Sequence, residues 1–201
     1  MVRLTDRPLQ LYFVRHGETE WSARGLHTGV TDLPLTAAGT LQASRLAVFL
    51  SDIKLIGVFT SPLTRARQTC ETAGFANEAI VDADLAEWDY GEYEGRTTAD
   101  IHRTRPGWDV FKDGCPGGEE PAQIAQRVDR VIARQKGSSG SIALFSHGQF
   151  GCALAARWIG LPVSAGRNFA LDPTAIGILG TRHDRPETPV ILRWNVLPGE
   201  V

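Results

Sequence analysis

The stretch Leu9–Gly39, LQLYFVRHGETEWSARGLHTGVTDLPLTAAG, decides how the rest of the chain is read. Its opening residues, Leu9–Val14, form a short apolar run that reads as a buried strand. The run breaks at Arg15-His16-Gly17, and a long loop separates it from the next helical pattern. A cation, an imidazole and a glycine at the carboxyl end of a strand suit an anionic ligand and a histidine with a chemical task. The tripeptide alone is common, however, and a histidine after a strand is more often an ordinary loop residue. The remainder of the chain has to decide between the two.

Working outward, the pattern alternates. Thr36 is placed to cap a helix whose apolar stripe is Leu41, Leu46, Val48 and Phe49, ending near Leu50. Leu55–Thr60 (LIGVFT) reads as a second buried strand. Ser61 then stands as N-cap, with Pro62 at the first position of a helix running to about Gly74. A short strand near Ile80–Val81 follows. Pro121 opens a helix that buries Ile124, Val128, Val131 and Ile132, and the GSSG tract Gly137–Gly140 is a turn. Ile142–Ser146 (IALFS) is the third strong strand, Phe150–Ile159 its helix, and Ala175–Gly180 and Val190–Val196 closing strands around a turn at 184–189. Strands alternating with helices predict an α/β fold, a three-layer α/β/α sandwich with a mostly parallel central sheet. The 201 residues fit a single domain, with 97–118 as a small cover segment: its prolines and glycines allow one short helix and a loop over one face.

The bulk composition excludes several classes. A net charge of −2 gives no general attraction to nucleic acid or to an anionic membrane. No apolar run approaches the ~20 residues of a membrane span. The charged start MVRLTDRPLQ is unlike a signal peptide. Cys70, Cys115 and Cys152 are far apart and odd in number, which argues for a reducing, cytoplasmic setting. Lysine occurs only at Lys54, Lys112 and Lys136, so most cations are arginines suited to bidentate anion binding.

In open parallel sheets ligands lie beyond the carboxyl ends of the strands. That rule gathers Arg15-His16, Ser61 to Arg65, and Ser146-His147-Gly148 on one rim. Arg65 falls in the first turn of its helix, where its guanidinium and the free backbone N–H groups can serve one anion. Arg67, two residues on, faces elsewhere and is expected to be structural or solvated. Two histidines and two arginines point to phosphate. His16, His27, His102, His147 and His183 show no metal-ligand spacing, so no metal or other cofactor is expected. There is no phosphate loop of the Gly-x-x-x-x-Gly-Lys-Ser/Thr kind, and no Gly-x-Ser-x-Gly elbow. What remains is a neutral imidazole attacking phosphorus, with fixed cations stabilising the transferred group. Glu87, in a run with Trp88 and Tyr90 that can desolvate it, is the candidate proton donor for the leaving oxygen.

Taken together, RHGETEWSARGLHTG, SPLTRARQT, LAEWDYGEYEG, PGGEE and FSHGQ, in this order, resemble the histidine phosphatase superfamily, in its phosphoglycerate-mutase-like branch. The likeness runs from about Leu11 to Leu161. It implies that His16 carries the phosphoryl group, that Arg15, Arg65 and His147 complete the phosphate pocket, and that Glu87 is the general acid. It further places Ser22, Thr28, Gly29 and the Gly148 backbone near the phosphoryl group or substrate, and Tyr90 near the leaving group. Ser22 stands where the family often has asparagine, and Glu120 where a serine is common. His27 stands where glutamine or another residue is usual and reads as peripheral.

The family contains phosphatases and mutases. The short chain and the run Arg96-Thr97-Thr98 after the glutamates favour an open site and hydrolysis of a small phosphomonoester, with the look of the sugar-phosphate and sugar-bisphosphate phosphatases. A cofactor-dependent phosphoglycerate mutase is the alternative. A silent phospho-ligand-binding domain would normally have lost a histidine or the glutamate. Specificity is expected in Tyr93, Arg96 and Arg103–Cys115, where Trp108, Phe111 and Lys112 either contact the substrate or pack the cover. The partner expected is a small molecule, and the pattern does not reveal an oligomeric state.

Overall fold

The computed structural model describes residues 8–182 and 184–199. The charged stretch 1–7, on which the signal-peptide reading partly rests, and His183 lie outside them.

Six strands form one sheet: β1 (Gln10–Arg15), β2 (Leu55–Thr60), β3 (Ala79–Val81), β4 (Ser141–Ser146), β5 (Ile176–Thr181) and β6 (Pro189–Val196), in the order β3-β2-β4-β1-β5-β6. Only β5 runs against the rest, being antiparallel to both β1 and β6. The sheet is therefore mixed, with a parallel majority. The helices are α1 (Glu20–Ala23), α2 (Ala37–Ser51), α3 (Thr64–Cys70), α4 (Thr98–Thr104), α5 (Val110–Asp113), α6 (Pro121–Gln135) and α7 (Gly148–Trp158).

β1 and β4 read as unbroken apolar runs because both faces of the sheet are covered there. β2, expected to be buried, is only partly so, with Ile56 exposed nearer the sheet edge. Successive side chains alternate between those faces. Leu11 and Phe13 of β1, with Ile142 and Leu144 of β4, enter a core that holds Ile124, Val128 and Val131 of α6 and Phe150 and Leu154 of α7. Tyr12, Val14, Ala143 and Phe145 enter the opposite core, with Leu46 and Leu50 of α2 and Cys70 of α3.

Three local expectations are corrected. Thr36 does cap α2, accepting from Gly39 N at 2.9 Å, but the buried stripe is Gly39, Ala43, Leu46 and Leu50. Leu41 and Val48 are exposed, because small residues let the helix axis approach along a different face. The helix after Ser61 begins at Thr64 with Leu63 as N-cap, and passes into a π turn over Glu71–Phe75. Its first-turn amide is capped from a distance: Thr64 N and Oγ1 each bond the Asp32 carboxylate at 2.7 Å. Lastly, residues 97–118 contain two short helices, α4 and α5, whose Ile101, Val110 and Phe111, with Trp108 between them, join the α6–α7 core.

Candidate active site

β1 and β4 are neighbours in register, Arg15 beside Ser146, so His16 and His147 leave the sheet side by side. The chain departs from β1 toward α2 on one face and from β4 toward α7 on the other, which opens a crevice at their carboxyl ends. His16 N donates to Ser146 O at 2.9 Å, and Thr174 N donates to Arg15 O and His16 O at 3.1 and 3.2 Å. Thr174 holds φ 59, a left-handed conformation that strains a β-branched residue, at the turn that fixes the signature backbone. Gly17 has a plain steric reason: a Cβ there would lie 2.5 Å from the Gly39 carbonyl oxygen of α2.

A cleft of about 180 Å³ opens here, lined by Arg15, His16, Ser22, Thr28, Glu87, Tyr90 and Gly148, together with Gly25, Leu26, His27 and Gln149. His16 is buried, and its Nδ1 lies 2.7 Å from Gly17 O. A carbonyl only accepts, so this contact assigns the proton to Nδ1 and leaves the lone pair on Nε2. Burial, then the charges of Arg65 and Arg15, hold the His16 pKa well below the usual imidazole value. The ring is therefore neutral at pH 7. Arg15 donates through Nη1 to Leu171 O, while its buried Nε has no hydrogen-bond partner among the described residues. The first residue of α7 allows this placement, since a Cβ on Gly148 would sit 3.3 Å from that Nε.

Glu87 is also buried. Its Oε1 accepts from Trp88 N and Phe150 N, both at 2.9 Å, and its Oε2 accepts from Gln149 N at 3.1 Å. The carboxylate thus caps α7 and is held at the cleft wall with Oε2 the less committed oxygen. The Trp88 indole donates to Glu119 O at 2.9 Å and packs edge-on against Phe111. Tyr90 does line the cleft, and burial, then Glu87, push its pKa well above the usual phenol value.

Arg65 and His147 stand behind the cleft wall, both fully buried. Arg65 Nε donates to His147 Nδ1 at 3.2 Å, so the His147 proton resides on Nε2 and is given to Ser61 Oγ at 2.7 Å. Neither nitrogen of His147 is left for a ligand in this arrangement. Arg65 also fastens the loop after α1, donating from Nη1 to Thr31 O at 3.0 Å and from Nη2 to Gly29 O at 2.8 Å and Thr28 O at 3.3 Å. The two imidazoles meet edge to face with centroids 5.1 Å apart. Arg67 is exposed and pairs with Glu71 at 3.9 Å, away from the site.

The lesser site residues divide. Thr28 lines the cleft, its hydroxyl donating to Leu26 O at 3.1 Å. Ser22 lines it too, but its hydroxyl completes a capping box, accepting from Thr19 N at 2.8 Å and donating to Thr19 O at 3.1 Å. Gly29 is outside the cleft: its amide is held by Glu94 Oε1 at 2.6 Å and its carbonyl by Arg65. His27 is not peripheral. It stacks on Tyr90 with centroids 4.6 Å apart, meets Trp108 edge-on, and bonds Thr98 Oγ1 of α4 at 3.0 Å. Burial lowers its pKa to about 4. His27 and Gln149 also line an adjoining cavity with Thr98, Trp108 and Arg167. Tyr93, Trp108 and Phe111 are mostly core, which favours the packing reading of these aromatics. Ser61, expected on this rim, serves there as the partner of His147. Gln149 and the Thr174 turn were missed, because single polar residues beside a motif carry no periodic signal.

Among the described residues no group of three or more His, Cys, Asp or Glu side chains is gathered as for a metal ion, and no helix is long and apolar enough to cross a membrane.

Comparison with known proteins shows what the chain is similar to. An acid phosphatase of Mycobacterium tuberculosis is 40% identical over 178 residues, 87% of each chain. A sedoheptulose 1,7-bisphosphatase of Saccharomyces cerevisiae is 38% identical, over 81% of this chain and 71% of the relative. A probable phosphoglycerate mutase of Klebsiella pneumoniae is 33% identical, over 90% of this chain and 87% of the relative. A solved structure from Mycobacterium tuberculosis superposes with a TM-score of 0.89 at 38% identity, covering 96% of this chain and all of the other. Residues 11–196 match the family model of the histidine phosphatase superfamily, branch 1, and the chain belongs to that superfamily.

Proposed function

We propose that this enzyme hydrolyses small phosphomonoesters through a phosphohistidine formed on His16. The observation that carries the reading is the fixed tautomer: Nδ1 is spent on Gly17 O, so the lone pair of a neutral ring lies on Nε2. Nε2 attacks phosphorus as the ester P–O bond breaks, and Glu87 gives its proton to the departing oxygen. Water then returns a proton to the Glu87 carboxylate and attacks phosphorus, and the P–N bond breaks to restore Nε2. Arg15, with its unpartnered Nε, and the N-terminus of α7 supply cationic and N–H stabilisation for the spread charge of the phosphoryl group. Arg65 contributes positive potential from behind and keeps Thr28 and Gly29 in place.

The substrates are sugar phosphates or sugar bisphosphates, a reading supported by the bisphosphatase relative and by a polar cleft continuous with the His27–Arg167 cavity. The chain is one domain with 97–118 as its cover. The three buried free thiols fit a reducing, cytoplasmic setting. The test is a panel of phosphorylated sugars, sugar acids and nucleotides, followed by phosphate release. Net release from sugar phosphates is expected; interconversion of phosphoglycerates that outpaces release, with a bisphosphoglycerate present, would return the mutase reading.

A further inference from the structure

Glu87 stands on a segment, residues 86–89, that follows the 3-10 turn Ala83–Leu85 and has no helix or strand of its own. The segment is held from outside by Arg127 of α6. All five N–H donors of that guanidinium are spent: Nη1 on Asp84 O and Ala86 O, both at 2.8 Å; Nη2 on Glu87 O at 3.1 Å and Glu119 Oε2 at 2.7 Å; Nε on Glu119 Oε1 at 2.7 Å. Glu119 closes the ring from the other side. It accepts from Asp89 N at 3.0 Å, and its backbone accepts from Trp88 Nε1 and donates to Asp89 O, each at 2.9 Å. The guanidinium also lies over the Phe150 ring, 5.4 Å from its centroid, and Phe150 N is one of the amides that hold the Glu87 carboxylate. Both the peptide that carries Glu87 and the helix turn that grips it therefore rest on one fork. Lysine cannot reproduce five planar donors.

We propose that Arg127 and Glu119 are positioning residues that set Glu87 for proton transfer to the leaving oxygen. This rests on Glu87 being the proton donor. Misplacement by a fraction of an ångström should then matter most where the leaving group needs a proton. The experiment compares kcat/KM for β-glycerophosphate, whose alkoxide must be protonated, with that for p-nitrophenyl phosphate, whose phenolate leaves unaided. Purified Arg127→Lys and Glu119→Gln enzymes are measured beside the parent enzyme, with thermal melts to confirm folding. The expected result is a loss of about 100-fold on the alkyl ester and under about 10-fold on the aryl ester. Equal losses on both esters, no loss in a folded variant, or failure of both variants to fold would overturn the proposal, the last by making the pair a stability element. A Glu87→Gln control separates the readings. If its losses were equal on the two esters, Glu87 would not be the proton donor and the reading beneath the proposal would fail; if it lost the alkyl ester selectively while the alkyl-to-aryl ratio stayed flat in the Arg127 and Glu119 variants, only the positioning role would fail.

Discussion

His16 and His147 are near twins in sequence and opposites in the structure. Each follows an apolar strand and precedes a glycine, in VRHG and FSHG, and the two strands lie side by side. His16 spends one nitrogen on its neighbour's carbonyl and keeps Nε2 at the cleft. His147 spends both, on Arg65 and Ser61, and lies behind the wall. The difference comes from what the third strand end delivers. Ser61 and Arg65 follow β2, and β2 is the neighbour of β4 but not of β1. The strand order therefore gives His147 two polar partners and leaves His16 lining the cleft. Equivalent motifs acquire different tasks through topology.

The sharpest way to break this comparison is to remove each ring in turn. His16→Ala should reduce kcat/KM by on the order of 10⁴-fold or more, since the proposed nucleophile is gone. His147→Ala should cost about 10- to 100-fold, because Arg65 Nε and Ser61 Oγ lose partners that are each worth ~1–3 kcal/mol when buried. Steady-state kinetics on one substrate decides it; losses of equal size would mean that the two histidines share one role.

A smaller effect lies in the pH dependence of stability. Burial holds the pKa of His16 and His147 well below 6.5, and that of His27 at about 4, so these rings stay neutral in the native state. In the unfolded chain they bind protons below about pH 6.5. The unfolded state then carries more protons, so stability present at pH 7 is lost as pH falls toward 5. Urea midpoints should drop over that interval, with a shallower slope in a His27→Gln variant. A midpoint that did not move between pH 7 and 5 would contradict the burial of neutral rings.

The fold was largely legible because β1 and β4 are buried on both faces and read as continuous apolar runs, with turns marked by glycine and proline. The stripe of α2 was misread because its contact face is built from Gly39 and Ala43, which carry little hydrophobic signal. The cap of α3 was misread because Asp32 reaches it across 32 positions, which no local pattern encodes. At the site, the motif residues Arg15, His16, Glu87, Thr28, Tyr90 and Gly148 do gather on one cleft. Whether a motif residue faces the ligand or supports a neighbour was not legible. That depends on hydrogen-bond partners from distant strands, as Ser22, Gly29, Arg65 and His147 illustrate. His27, read as peripheral, gains its place only through Tyr90 and α4.

The most direct measurement is to trap the phosphoenzyme by rapid alkaline quench during turnover and to locate the phosphate by mass spectrometry and phosphorus NMR. The account predicts one acid-labile phosphoryl group per chain, on Nε2 of His16. Phosphate on Nδ1 of His16, on His147, or no phosphohistidine at all under turnover would contradict it.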